Sequence, residues 1–180
     1  MMPSSFPQLQ TRRLSLRRLQ VEDVDALVKY ANNRKISEQV LSVPHPYSEP
    51  DAVFRISYVL QGFKAGLRFV FAIISKERQE LIGEVALHID GSGVAQLGYW
   101  IGEPFWNNGF ATEAVEAILH FGFGTLELET VYANVRADNK ASEKVLLKCG
   151  MSGPGAGGLI LRYALQKCDH EICAGKRKHN

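Results

Sequence analysis

Cysteine is scarce: three residues, Cys149, Cys168 and Cys173, in a chain of 180. An odd count in a chain of this size does not describe a disulfide framework, so reduced thiols in a cytoplasmic protein are expected. Cys168, His170 and Cys173 lie close together, but no second pair stands at ligand spacing, so no metal is expected. Long apolar runs are missing too. No segment reaches the ~18 unbroken apolar residues of a membrane span, and the opening MMPSSFPQLQTRR lacks the apolar core of a signal peptide. The net charge of +2 is too small to argue for nucleic acid. The KRK run, Lys176 to Lys178, reads as a solvated tail. Nucleotide fingerprints also fail. There is no G-x-x-x-x-G-K-[ST]. GSGVAQ (91–96) puts Gln96 where a third Rossmann glycine belongs and runs into a strand pattern. SGPGAGG (152–158) also precedes a strand and reads as a loop.

What is present suits one domain: 46% hydrophobic residues, ample for a single core. Residues 12–19 alternate as a half-buried strand does. Asp23 is placed to cap a helix over 23–32. HPYSEPDA breaks the pattern, and Ser48 or Glu49 leads into a helix over roughly 50–64. Apolar, β-branched stretches at 69–75, 81–89 and 94–101 predict three antiparallel strands, with DGSG (90–93) as a hairpin turn. A helix over 109–123, a strand over 130–136, a helix over 139–149 ended by Gly150, and a strand over 159–167 complete the chain. The helical crossover from 94–101 to 130–136 implies that those two strands run parallel. The fold class is therefore α/β, a mixed and mostly antiparallel sheet with one central parallel pair. Residues 8–167 form the domain and 168–180 a tail. Trp100, Phe105 and Trp106 read as packing residues, Tyr132 as core and His120 as a solvent-side helix residue.

WNNGFATEA (106–114) opens the helix at 109–123. The first turn of a helix carries unpaired N–H groups, and its dipole favours negative charge. Gly109 and Ala111 leave room for a phosphate against that backbone, and Thr112 adds a hydroxyl. No lysine stands in the stretch, so the backbone itself is expected to hold the anion. Asn107 tolerates left-handed backbone better than most residues.

Taken with its flanks, this stretch resembles the GNAT family of N-acetyltransferases, and most closely the branch that acetylates ribosomal-protein N-termini. The family's Q/R-x-x-G-x-G/A loop maps onto Trp106, Asn107, Asn108, Gly109, Phe110 and Ala111. Its second signature, N-x-x-S-x-x-(V/L)-L-x-K-x-G, matches Asn139, Ser142, Val145, Leu146, Lys148 and Gly150. QTRRLSLRRLQVEDVDAL is similar to the family's opening, and the resemblance covers about residues 8–151.

The resemblance implies acetyl-CoA as donor and a primary amine as acceptor, with no metal. It implies that strands 94–101 and 130–136 splay and that the pantetheine arm lies between them. Backbone at Leu97, Tyr99, Trp100 and Ile101 would pair with the arm, and Asn134 and Asn139 would contact it. The diphosphate would rest on the amides from Asn107 to Thr112. A backbone N–H near Tyr99 or Trp100 would hold the developing oxyanion. Ser142 would stand near the leaving sulfur, although it could equally be an N3 residue bonding its own cap. Relatives often carry Glu where this chain has Gln96. Glu84 and His88, which share one strand face, are the remaining candidates for a base, Glu84 through water. An α-amine, with pKa near 7.7–8.0, needs less help than a lysine at about 10.4. A peptide N-terminus or small amine is the expected acceptor. Polyamine or antibiotic acetylation, and a non-catalytic acyl-CoA sensor, are the alternatives. The oligomer, monomer or homodimer, stays open.

Overall fold

The computed structural model describes residues 3, 5–40, 42–154 and 158–170. Seven strands lie side by side in chain order: β1 Leu9–Gln10, β2 Leu14–Arg18, β3 Arg68–Ser75, β4 Glu80–Ile89, β5 Val94–Ile101, β6 Thr130–Arg136 and β7 Ile160–Gln166. Between them run α1 Val24–Ala31, α2 Arg34–Ser37, α3 Glu49–Lys64, α4 Phe110–Gly124 and α5 Lys140–Lys148. Every neighbouring pair is antiparallel except β5 and β6, which run parallel because α4 carries the chain back across the sheet. The fold is a mixed α/β sheet with helices on both faces, as the element order predicts. None of the described helices is long and apolar enough to cross a membrane.

Strand alternation divides the side chains between two cores. Phe69 and Phe71 of β3 meet Phe121 of α4, with ring centroids 5.3 and 5.7 Å apart. Val85 and Leu87, opposite Tyr99 and Leu97, share that face. Residues of the other parity, among them Val70, Ala72, Glu84 and Ala86, face α1 and α3, which pack on β4 and β3. α4 comes close to the sheet because Gly122 has no side chain; a Cβ there would stand 3.0 Å from Leu87 Cδ1.

Several local expectations need correction. β1 and α2 were not anticipated. β1 has two residues, too few for a period, and α2 has four, held by the Asn33 side chain accepting from the Lys35 N–H at 2.9 Å. Asp23 does not cap α1 with its side chain. Its carboxylate is 4% exposed and needs a counter-charge, so it takes both oxygens to Arg17 at 2.8 Å and accepts from the Gln20 N–H. Tyr132 is half-buried on the α1 and α3 side, not core, with the Arg162 guanidinium 4.1 Å above its ring. The presumed tail begins with a helical turn at 167–170, and the His170 ring lies 4.6 Å from that of His120. The KRK run, Cys173 and the centre of SGPGAGG fall outside the described residues.

Gly83 shows how tightly the middle of the sheet is built. A Cβ there would lie 2.2 Å from the Trp100 carbonyl oxygen, where backbone cannot yield cheaply. Gly83→Ala is expected to cost about 1–3 kcal/mol of folding stability, read as a lower urea midpoint. An unchanged midpoint would mean that the β4–β5 contact is looser than this.

Candidate active site

The sheet opens at one place. β5 and β6 pair only at Val94 with Thr130, Ala95 with Val131 and Gln96 with Tyr132. Beyond Gln96 the strands part. β5 stays bound to β4 as far as Ile101, and β6 to β7 as far as Arg136. Each therefore offers an unpaired edge to a wedge-shaped gap. Leu97 and Ile101 have buried side chains, so only their backbone can serve a ligand there; Trp100 is also buried and turns its backbone to β4, so it is not the gap-facing residue expected of it. Asn134 is exposed on the opposite edge, its Oδ1 accepting from Arg162 Nε at 3.4 Å.

Across this gap reaches Tyr99. Its hydroxyl lies 2.6 Å from Ser142 Oγ, in the first turn of α5. Asn139 caps that helix, its Oδ1 accepting from the Ser142 N–H at 3.0 Å. The cap thus uses the amide of Ser142, and the hydroxyl is turned to Tyr99 instead. Burial pushes the Tyr99 hydroxyl well above its ordinary value, against the lowering effect of the Ser142 contact. It keeps its proton at neutral pH, so the two hydroxyls form a neutral donor pair on one wall of the gap.

At the outer end of the gap the chain turns into α4. Asn107 and Gly109 are both left-handed, with φ of 61° and 77°. The Asn108 side chain donates to the carbonyls of Phe105 and Trp106, and Trp106 Nε1 donates to the Ile101 carbonyl at 2.6 Å. The amides of Phe110, Ala111 and Thr112 begin a helix and so have no partner within it. The loop is tied to β2 by Arg13. Its guanidinium donates to the Asn108 carbonyl at 2.9 Å and to Glu113 at 2.7 Å, and lies 4.5 Å over the Phe110 ring. Burial pushes the Glu113 carboxyl upward, but the Thr11 hydroxyl and the N–H groups of Arg13 outweigh it and hold it below its ordinary range.

Arg12, Arg13 and Lys148 line a cleft of about 430 Å³ with Gly109 and Thr112. Glu113 and Glu116 line the same cleft, and the three cations beside the helix mouth are not among the groups expected to hold an anion there. They come from residues 95 positions upstream and 40 downstream of the loop, so a local reading of WNNGFATEA missed them. The RR of the opening segment and the Lys of the second signature were the available signals.

The other face of the gap is polar and buried. Glu84 is 3% exposed and accepts from Arg55 of α3 at 2.6 and 3.2 Å. Burial alone would lower the Arg55 pKa; Glu84 reverses this and raises it. Two residues along the same face stands Ala86, and two further His88, opposite Gln96. Gln96 in turn neighbours Tyr132, whose hydroxyl is 3.5 Å from Gln96 Oε1. The two base candidates thus share one face, and the Tyr99–Ser142 pair lies on the other.

Burial, reinforced by Arg55 and Arg68, lowers the His88 pKa to about 4. An unfolded histidine takes up its proton near 6.5. The unfolded chain therefore binds more protons than the folded one between these values. Stability should be full above about pH 6.5 and fall as pH drops toward 4, by roughly 3 kcal/mol at most from this group. His88→Asn should flatten the pH dependence of the urea midpoint between pH 6.5 and 5. An identical slope in the variant would assign the effect to other groups.

Comparison with known proteins agrees with this geometry. The model of the GNAT acetyltransferase domain matches residues 13–152. The N-acetyltransferase YoaA of Bacillus subtilis is 31% identical over 153 residues, 83% of this chain and 85% of the relative. The ribosomal protein uS5-alanine N-acetyltransferase of Escherichia coli is 29% identical over 174 residues, 93% and 89% of the two chains. Among solved structures, RimL, a ribosomal-protein α-N-acetyltransferase in complex with coenzyme A, superposes with a TM-score of 0.77 at 18% identity, covering 89% of this chain and 98% of its own. The chain belongs to the GNAT acetyltransferases and is an acyltransferase.

Proposed function

We propose that residues 8–167 move the acetyl group of acetyl-CoA to a primary amine by direct attack, with both substrates bound, and that the acceptor is the α-amine of a protein or peptide N-terminus. The observation that carries this reading is the gap between β5 and β6, with paired hydroxyls on one wall, and beside it a cleft lined by Arg12, Arg13, Lys148 and the first turn of α4. Two of the similar proteins are named for acetylating ribosomal proteins, and RimL was solved with coenzyme A.

The residues fit such a donor. Left-handed Asn107 and Gly109 open the backbone, and Arg12, Arg13 and Lys148 add positive charge for the diphosphate. The edge groups of Leu97, Tyr99 and Asn134, with the Ile101 N–H, face the gap and suit an extended arm bound as an added strand, whereas the Trp100 backbone is turned to β4. The donor supplies a thioester carbonyl and a thiolate leaving group. A backbone N–H near Tyr99 or Trp100 steadies the oxyanion. Ser142, backed by the protonated Tyr99, donates to the departing sulfur. Glu84 is held by Arg55 and orders water on the acceptor side rather than meeting the amine directly. That modest help suits an α-amine, of which an appreciable fraction is already neutral at pH 7. The polyamine alternative calls for carboxylates free to bind cations, and the buried one on this face is committed to Arg55. The sensor alternative draws on Gln96, but a pure binder gains nothing from the Tyr99–Ser142 pair.

A thiol-release assay with N-terminal peptides and small amines tests the reading. Coenzyme A binding without turnover on any amine would overturn it. Ser142→Ala should lower kcat roughly 100-fold with little change in coenzyme A affinity. Tyr99→Phe combined with it should add little, because the two act as a unit. An unchanged kcat in Ser142→Ala would remove that residue's role. Gly109→Val should weaken coenzyme A binding at least ~10-fold by calorimetry, because valine resists a φ of 77° at the cradle. Retained affinity would refute the loop assignment.

A further inference from the structure

Two glycines sit inside the central strands, and only one is explained by the protein itself. Glycine weakens a strand interior and marks a bulge, a tight bend or the close approach of another group. Gly83 answers to the Trp100 carbonyl, 2.2 Å from where its Cβ would stand. Gly98 answers to nothing. A Cβ there would meet no atom within 4 Å among the described residues, and its φ is not in the left-handed region. Neither packing nor backbone conformation of this chain calls for glycine at 98.

Its position says what else could. Gly98 lies two residues past Gln96, where β5 has lost β6 and borders the gap. It pairs with Ala86 of β4, so two small residues form a strip of floor. Glu84 and Trp100, opposite one another, close one end of the strip; His88 and Gln96, also opposite, close the other. The strip lies on the face away from Tyr99 and Ser142. An acceptor that attacks a carbonyl held in the gap has to cross the β5 edge beside it.

We propose that Gly98 is the size gate for the acceptor: the amine-bearing carbon crosses β5 there, and its substituent occupies the volume a Cβ would fill. The inference rests on the acetyl-transfer reading and sharpens its substrate class. A branched carbon, as in an α-amine, needs that volume; the narrow end of an unbranched alkylamine needs it less.

The test compares wild type with Gly98→Ala and Gly98→Val, using an alanyl peptide and an unbranched diamine as acceptors. Nothing among the described residues lies within 4 Å of the added Cβ, so the melting temperature of Gly98→Ala should hold or rise. Coenzyme A affinity should stay within about twofold, while kcat/KM for the alanyl peptide falls ~10-fold in the Ala variant and further in Val. The unbranched amine should lose distinctly less. Undiminished kcat/KM for the peptide in Gly98→Val overturns the proposal alone. So does an equal loss for both amines, or lost coenzyme A affinity, which would put Gly98 against the donor. A wild-type protein that binds coenzyme A and acetylates neither amine overturns the transferase reading, and this proposal with it.

Discussion

A parallel strand pair that stops after three residues governs this structure. β5 and β6 hold each other only at 94–96 and 130–132, while each keeps its outer neighbour for its full length. Unpaired backbone inside a protein is costly, because the lost hydrogen bonds are not regained elsewhere. A sheet that parts in its middle therefore needs either water or a ligand backbone in the opening. The parting also does geometric work. It leaves two faces of one sheet in communication through a slot, so groups on α5 and groups on β4 can address the same reacting atoms from opposite sides.

Two ion pairs hold the walls of that slot, and they differ in kind. Arg13 and Glu113 are partly exposed and join β2 to the first turn of α4. Solvent screens such a pair, so its worth lies in the hydrogen bonds that fix the loop, Asn108 carbonyl included. A cradle already shaped before an anion arrives loses less entropy on binding. Arg55 and Glu84 are buried, with side chains 15% and 4% exposed. Such a pair adds little net stability, but removing one partner strands the other charge. It fixes α3 over β4 and spends the charge of Glu84 at the same time.

Much of this was legible in the sequence, and the reason is local. Apolar alternation at 69–75, 81–89 and 94–101 reports burial residue by residue, and the helix between 94–101 and 130–136 forces a parallel pair. A left-handed Asn107 suits the loop motif, and residue type offers Asp138 or Asn139 as the cap of α5, of which the structure uses Asn139. What escaped depends on tertiary partners. Asp23 looks like any N-cap until Arg17 claims it. Tyr132 looks like core until it proves half-buried, with Arg162 over its ring. Arg12 and Lys148 lie in segments that the sequence marks for other reasons, so only the fold joins them to the loop. The direction of the Ser142 hydroxyl was not legible either, since its amide serves the cap while its hydroxyl turns to Tyr99.

Gln96 is the departure that most constrains the chemistry. Where the family resemblance leads one to expect a carboxylate, a neutral amide stands between His88 and Tyr132. His88 is neutral at pH 7 because burial and two arginines lower its pKa to about 4. Glu84, the nearby carboxylate, is balanced by Arg55. On the proposed reading, the acceptor side is thus polar with its carboxylate paired, and proton removal is not its main contribution. An amine with a pKa near 8 presents its lone pair without a strong base, provided that it is aligned within about 3–3.5 Å of the carbonyl. On the proposed reading, the site concentrates its effort on the leaving sulfur through Ser142 and Tyr99, and leaves the amine to its own basicity.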